Sequence, residues 1–216
     1  MDEVVGTTLK GNQFNGSAYV AGLPIVPGVT PRTQGAVMFD GSTNRVQFLN
    51  TYSMCIVNLE KCPNGITIAA WLKPGTKQAL TWFYFSTGGH TPGGHGWTWY
   101  QNSGKINFQA QTTSKIWSLL SATLPLDTWS HVITSWHELE GVKMFVNFKL
   151  VAEATTPTID AFNNVVIDLT IGSALKFDVR FLGNFTIDEF HIWQKKCTDD
   201  IIREIQLMKY YEIDRL

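Results

Sequence analysis

Four stretches of this chain place apolar residues at every second position, and no other feature constrains its fold as tightly. Ile66, Ile68, Ala70 and Leu72 are separated by Thr67, Ala69 and Trp71, and Ile106, Phe108 and Ala110 by Asn107 and Gln109. Val132, Thr134 and Trp136 are separated by Ile133 and Ser135; Val142, Met144, Val146 and Phe148 are separated by Lys143, Phe145 and Asn147. Successive side chains of an extended strand point to opposite faces of a sheet, so each stretch predicts a half-buried strand of an antiparallel sheet. Turn signals fall between them at Asp40-Gly41, Asn64-Gly65, Pro74-Gly75, Asn102-Ser103-Gly104 and Glu140-Gly141. Many strands, such punctuation and almost no helix predict an all-β fold, a two-sheet antiparallel sandwich. The stretch from Gly11 to Gly35 reads as loop, with weak strands at best.

The segment Gly183 to Trp193 departs from simple alternation. Phe185, Ile187, Phe190, Ile192 and Trp193 would cover both faces of a strand, with Asp188 and Glu189 in the middle. Carboxylates between core aromatics require a partner, whether backbone amides, a cation or a metal. A short C-terminal helix over about residues 198–211 follows. Thr198 serves as its N-cap and Asp199 and Asp200 favour the helix dipole in the first turn. Ile201, Ile205 and Met208 form a stripe that packs on the sandwich rim.

With 216 residues and neither linker nor repeat, the chain reads as a single domain, 1–216. Eight tryptophans supply material for a large core. Seventeen basic and eighteen acidic side chains leave a net charge of −1 without basic runs, which excludes the electrostatic footprint of a nucleic-acid binder. No apolar stretch nears the roughly 20 residues that span a bilayer, so direct membrane insertion is not expected. The start, Met1-Asp2-Glu3-Val4-Val5-Gly6, is no secretory leader and taken literally implies the cytosol. A processed product or a fragment is the alternative, and two features favour it. Cys55 and Cys62 lie within reach of a local disulfide, the other reading being two reduced thiols without zinc-ligand spacing. Asn15-Gly16-Ser17 and Asn184-Phe185-Thr186 are N-glycosylation sequons. Cys197 stands apart and reads as a small buried hydrophobe.

Six blocks, in order, carry a family resemblance: Gly35 to Ser42, Ile66 to Pro74, Trp129 to Val132, Gly141 to Asn147, Leu169 to Ser173 and Ile187 to Trp193. Over nearly its whole length the chain resembles the laminin-G/pentraxin-like group of concanavalin A-like jelly rolls. The Cys55–Cys62 loop running into Pro63-Asn64-Gly65 is similar to the pentraxin-like domain at the N-terminus of adhesion G-protein-coupled receptors. The resemblance implies a jelly-roll sandwich, a disulfide between Cys55 and Cys62, an extracellular or cell-surface setting within a larger protein, and a role in recognition. Three features depart from the family. Its first strand is missing before Met1, the usual Asn-Gly turn reads Asn147-Phe148, and Cys197 has no counterpart.

Catalytic signatures are absent: there is no Gly-x-Ser-x-Gly elbow, no phosphate-binding glycine loop, and His137-Glu138 meets Gly141 where a zinc protease needs a second histidine. Glycosidases flank the scissile bond with two carboxylates. The candidates, Glu138 with Glu140 and Asp188 with Glu189, do not present such a pair. Calcium is the one cofactor that the resemblance implies, with Asp40 and Asp188 at carboxylate-rich positions; the other reading has Asp40 capping the Asp40-Gly41 turn and Asp188 bonded to backbone amides. A candidate ligand site lies along Trp82 to Tyr100, where His90, His95, Trp97 and Trp99 could stack a sugar or bind a metal. The opposing reading makes the stretch a core hairpin whose glycines serve a long turn. The function expected is a non-enzymatic extracellular module for adhesion or ligand sensing, meeting a protein or glycan. One alternative is an assembly domain of a matrix protein, self-associating through a sheet edge or Cys197. A polysaccharide-acting enzyme is the more distant one.

Overall fold

The computed structural model describes residues 18–20, 23–29, 35–48, 51, 54–76, 81–88, 94–159, 165–166, 168–174, 181–198 and 200–203. Their strands, in chain order, are β1 (Ala18–Val20), β2 (Ile25–Val26), β3 (Ala36–Asp40), β4 (Val46–Phe48), β5 (Ile66–Pro74), β6 (Thr81–Ser86), β7 (Gly94–Asn102) and β8 (Lys105–Gln111). There follow β9 (Lys115–Thr123), β10 (Ser130–His137), β11 (Gly141–Val146), β12 (Lys149–Ala154), β13 (Thr158–Ile159), β14 (Val165–Val166), β15 (Thr170–Ile171) and β16 (Asn184–Trp193). A 3₁₀ turn spans Leu59–Lys61.

Two sheets face each other. The seven-stranded sheet runs β12-β11-β10-β5-β16-β3-β2, and the nine-stranded sheet runs β1-β4-β15-β6-β7-β8-β9-β13, with β14 beside β7. The non-consecutive neighbours are the crossovers of a jelly roll. The alternation dictates which side chains meet between the layers. Ile66, Ile68, Ala70 and Leu72 of β5, Ile106, Phe108 and Ala110 of β8, and Val142 and Met144 of β11 all lie in one core. Aromatic pairs bridge the sheets within it: Phe85 stacks on Phe190 at 4.6 Å, Trp82 on Phe185 at 5.7 Å, and Trp117 meets Trp136 edge-on at 5.6 Å. Such pairs each add about 0.5–1.5 kcal/mol beyond the area they bury.

One pairing is not antiparallel. β14 runs parallel to β7, with Val165 against Gly94 and Val166 against His95. The Gly11–Gly35 region contributes two short strands, β1 against β4 and β2 against β3. The turn after β11 keeps positive φ at both Asn147 (49°) and Phe148 (65°). That geometry normally calls for a glycine second, and Phe148 is held there by its ring, which stacks on His131 at 4.9 Å.

The register of β16 against β5 slips between Asp188 and His191, where Glu189 takes φ 47°. This bulge explains the broken alternation. Ile187 and Phe190, three apart, both enter the main core, and Trp193 turns to the opposite face. There Trp193 joins Ala69, Ile133 and Ile201 in a second apolar cluster. The helix begins as its cap implies, with the Thr198 hydroxyl accepting from Ile201 N at 3.4 Å. Residues 200–203 are helical, and the remainder of the expected helix lies outside the described residues. Its first turn sits on the outer face of the seven-stranded sheet, not on the rim, because outward-facing Ala69 and Ile133 leave a small apolar seat for Ile201.

Candidate functional site

The stretch expected to hold ligand folds as the β6–β7 hairpin. Trp97 and Trp99 face inward and are fully buried. The indole N–H of Trp97 donates to the Ile56 carbonyl at 2.7 Å, and that of Trp99 to the Thr134 hydroxyl at 2.8 Å. Neither ring presents a face for stacking on a sugar. His90 lies outside the described residues. His95 is 2% exposed, and neither of its ring nitrogens has a hydrogen-bond partner. His95, Trp97 and Trp99 therefore do not form a solvent-facing platform.

The loop closed by Cys55 and Cys62 seals this end of the sandwich. The disulfide is formed, with Cα atoms 5.0 Å apart. Val57, Leu59 and Cys62 enter the main core. Gly96, with φ 121°, lets the loop approach, since a Cβ there would meet the Thr87 hydroxyl and, at 2.8 Å, the Val57 carbonyl. Glu60 accepts from the backbone N–H of Thr113 at 2.9 Å and from its hydroxyl. Burial opposes ionisation of Glu60, but the Thr113 bonds and, less, charge on nearby His95 outweigh it and hold the carboxyl below its ordinary value.

The carboxylates proposed for calcium are already engaged. Asp40 Oδ1 accepts from the amides of Ser42, Thr43 and Asn44 at 2.8, 2.9 and 3.2 Å, and Oδ2 from the Thr43 hydroxyl at 2.8 Å. Burial works against its charge, yet the Thr43 and Ser42 bonds prevail and push its pKa well below the usual carboxylate range. Asp188 is 5% exposed; its Oδ2 accepts from Val29 N and its Oδ1 from Glu189 N, both at 2.9 Å. Asp40 lies across from Asn184 and Asp188 beside Trp71, so the two do not share a site. Calcium needs roughly six to eight oxygens. Among the described residues no three His, Cys, Asp or Glu side chains gather to hold a metal. Among the described residues, the carboxylates at Asp40 and Asp188 do not supply such a donor set.

Glu138 pairs with Lys115 at 2.8 Å and Glu140 with Lys196, both at the exposed turn after β10. Glu189 contacts His191 Nε2 at 3.1 Å. Asn184 is half-buried, its amide donating to the Phe39 carbonyl at 3.4 Å, and its sequon partner Thr186 is 5% exposed. Asn15 lies outside the described residues. Cys197 is half-buried and packs against the second cluster, its amide donating to the Ser135 hydroxyl at 2.7 Å.

The sequence reading passed over two features. Asp168 accepts from Thr51 N at 2.8 Å and ties β15 to the chain beyond β4; an aspartate at a strand entry gives no signal of that reach. The other is a row of carboxamides, Asn107, Gln109 and Gln111, on the outward side of β8. Their spacing by two was visible beside Ile106, Phe108 and Ala110.

Residues 40–203 match the model of the concanavalin A-like lectin/glucanases superfamily, of the laminin-G type. The chain belongs to that superfamily. Among curated relatives this laminin-G-type chain is 26% identical over 161 residues to human adhesion G-protein coupled receptor D1, covering 69% of the chain and 17% of the receptor. Against the bovine receptor the figures are 28% over 156 residues, 68% and 16%. The chain thus spans about a sixth of these relatives' length. Among solved structures, the botulinum neurotoxin serotype D binding domain superposes with TM-score 0.62 at 12% identity, over 89% of this chain and 46% of that one. A Trypanosoma rangeli sialidase with 2,3-difluorosialic acid gives 0.59 at 12%, over 84% and 27%. Likeness at that identity speaks to the fold alone.

Proposed function

We propose that this laminin-G-type chain is a non-enzymatic recognition module, displayed outside the cell as part of a larger adhesion-type receptor or secreted protein, and that it binds a protein or glycan. The observation that carries this reading is the superfamily match over residues 40–203 together with similarity to segments of adhesion receptors. The formed Cys55–Cys62 disulfide is in keeping with an oxidising compartment. The placement of the acids supports a module without catalysis. Glycoside hydrolysis needs two carboxyl groups flanking one bond. Here Glu138 and Glu140 are paired to lysines at an exposed turn, and Asp188 is tied to backbone amides.

The test is to incubate the fluorescently tagged chain with intact cells and, separately, with a panel of polysaccharides and sialosides. Saturable staining without turnover is expected. Turnover abolished by Glu138→Gln or Asp188→Asn would overturn the non-enzymatic reading, and no saturable staining of any cell type would overturn recognition.

A further inference from the structure

Asn64-Gly65 stands where the disulfide loop hands over to β5, and the fold pins it on both flanks. The amide of Gly65 donates to the Cys62 carbonyl at 2.9 Å and closes a turn through Pro63 and Asn64. Cys62, which opens the turn, is buried and bonded to Cys55. Gly65 takes φ 79°, and a Cβ there would run into the Trp136 carbonyl, so only glycine fits. Asn64 itself is exposed, and its main-chain carbonyl accepts from Lys196 N at 2.7 Å. Lys196 belongs to a strap that leaves β16 and crosses the outer face of the seven-stranded sheet. The strap has two further main-chain anchors. The Lys195 carbonyl accepts from the Thr67 hydroxyl, and the Cys197 amide donates to the Ser135 hydroxyl, both at 2.7 Å. Thr67 and Ser135 are neighbours across β5 and β10, and Ile201 is seated on the next pair, Ala69 and Ile133.

An asparagine followed by glycine carries a reaction of its own. The main-chain nitrogen of the glycine, having given its proton to solvent, attacks the asparagine Cγ. The bond from Cγ to the side-chain nitrogen breaks, ammonia leaves, and a five-membered succinimide remains. Water then opens the ring at one of its two carbonyls. One opening gives aspartate; the other reroutes the main chain through Cβ and Cγ and gives isoaspartate. Water is the only co-reactant and no electron is transferred. Glycine is the favoured successor because it has no side chain to hinder the approach of its nitrogen.

We propose that Asn64 is a modification site, deaminated through its succinimide at a rate that the Cys55–Cys62 disulfide gates. In the closed loop the nucleophile is committed, because the Gly65 N–H is bonded to the Cys62 carbonyl. The turn does not swing that nitrogen onto the exposed carboxamide while the disulfide holds one flank and Lys196 the other. A dithiol that reduces the loop leaves Cys55 and Cys62 as thiols and is itself oxidised to a disulfide. One flank is then released, and the local opening that frees the Gly65 nitrogen becomes more frequent. Isoaspartate adds a carbon to the main chain of a turn in which Gly65 has no slack. It also turns the carbonyl that held Lys196 into a free carboxylate, so the strap loses that anchor. Re-forming the disulfide does not undo this, and a passing reduction of the loop is written into the covalent chain.

The full chain is incubated in mildly alkaline heavy-oxygen water at body temperature, with and without dithiothreitol, and converted positions are read by peptide mass spectrometry. A free Pro-Asn-Gly-Ile peptide sets the unprotected rate. In the oxidised chain Asn64 should convert more slowly than the peptide. Reductant should raise its rate about tenfold, and Cys55→Ala/Cys62→Ala should convert at the reduced rate without reductant. Asn102, followed by Ser103 at the β7–β8 turn, reports general unfolding and should keep its rate. Asn64→Gln, whose longer side chain disfavours the ring, should show no conversion at that position. After re-oxidation, converted chains should exchange the Lys196 amide faster than unconverted ones, with amides of β8 unchanged. Equal rates at Asn64 with and without the disulfide, an oxidised chain as fast as the peptide, or an equal acceleration at Asn102 would each overturn the gating. Conversion that leaves exchange at Lys196 untouched would overturn its effect on the strap.

Discussion

The indole N–H of Trp97 donates to the main-chain carbonyl of Ile56 at 2.7 Å and so joins β7 to the disulfide loop. Val57 and Leu59 of the same loop sit in the core. The loop is thus held both covalently and by packing, and the two contributions separate experimentally. Closing so short a loop constrains the unfolded chain by about 2.5 kcal/mol. For a chain of this size that corresponds to a melting-temperature loss of roughly 5–10 °C in Cys55→Ala/Cys62→Ala. Reductant should lower the wild type to the variant's value and leave the variant unmoved. A melt insensitive to both would show that packing alone fixes the loop.

Trp99 tests the core reading of its hairpin directly. Its N–H donates to Thr134 Oγ1 across the sandwich, and both side chains are fully buried. Thr134→Val keeps the shape and removes the acceptor, which should cost about 1–3 kcal/mol. Trp99→Ala should cost about 3–5 kcal/mol through the cavity it leaves. Chemical denaturation measures both. A Trp99→Ala variant as stable as the wild type would reopen the ring as a binding element.

The strands β5, β8, β10 and β11 were legible because each sends every second side chain into the space between the sheets, which is the condition that makes alternation visible, even though the other faces of β5, β8 and β10 are largely buried too. Where that condition fails, so did the reading. In β16 the bulge at Glu189 resets the phase, so Ile187 and Phe190 share a face that their spacing of three denies. In β7, Gly94-His95-Gly96 looks like a flexible loop, yet the glycine at 96 serves the close approach of Val57 to a strand. The disulfide was one of two readings that the spacing of Cys55 and Cys62 left open, and the family resemblance implied it. Trp97 and Trp99 could not be placed from sequence, since a buried indole and a sugar-stacking indole leave the same pattern. The carboxamides of β8 were in plain view but read as the polar half of an ordinary strand.

Asp40 gives a prediction in pH. Its carboxylate collects three amide bonds and one hydroxyl bond in the Asp40-Gly41 turn, and its folded pKa is depressed from 3.8. A depressed carboxylate contributes stability that is fully present above the unfolded value and is lost as pH falls toward the folded one. Asp40→Asn cannot titrate and loses the charge-assisted part of these bonds, about 1 kcal/mol at neutral pH. The stability gap between wild type and variant should therefore be constant above pH 3.8 and shrink below it. Urea unfolding across that range would reveal it, and a gap independent of pH would show that the charge contributes nothing.

Asp188 couples two distant parts of the chain. Its Oδ2 accepts from Val29 N at 2.9 Å, 159 residues away, while Oδ1 accepts from the amide of the bulged Glu189. A carboxylate engaged in this way tethers the segment before β3. Two results follow. Asp188→Ala removes an acceptor from two half-buried amides and should destabilise the fold by about 1–3 kcal/mol, and it should speed hydrogen exchange at the Val29 amide more than at amides of β10. Calcium, in contrast, should leave the wild-type melting temperature where a chelator leaves it. A site with a dissociation constant a hundredfold below the added calcium would add about 2.7 kcal/mol and be unmistakable in the same melt. A calcium-dependent rise that disappears in Asp188→Ala would mean that the Val29 tether yields to a cation, and the assignment of Asp188 would change from strut to ligand.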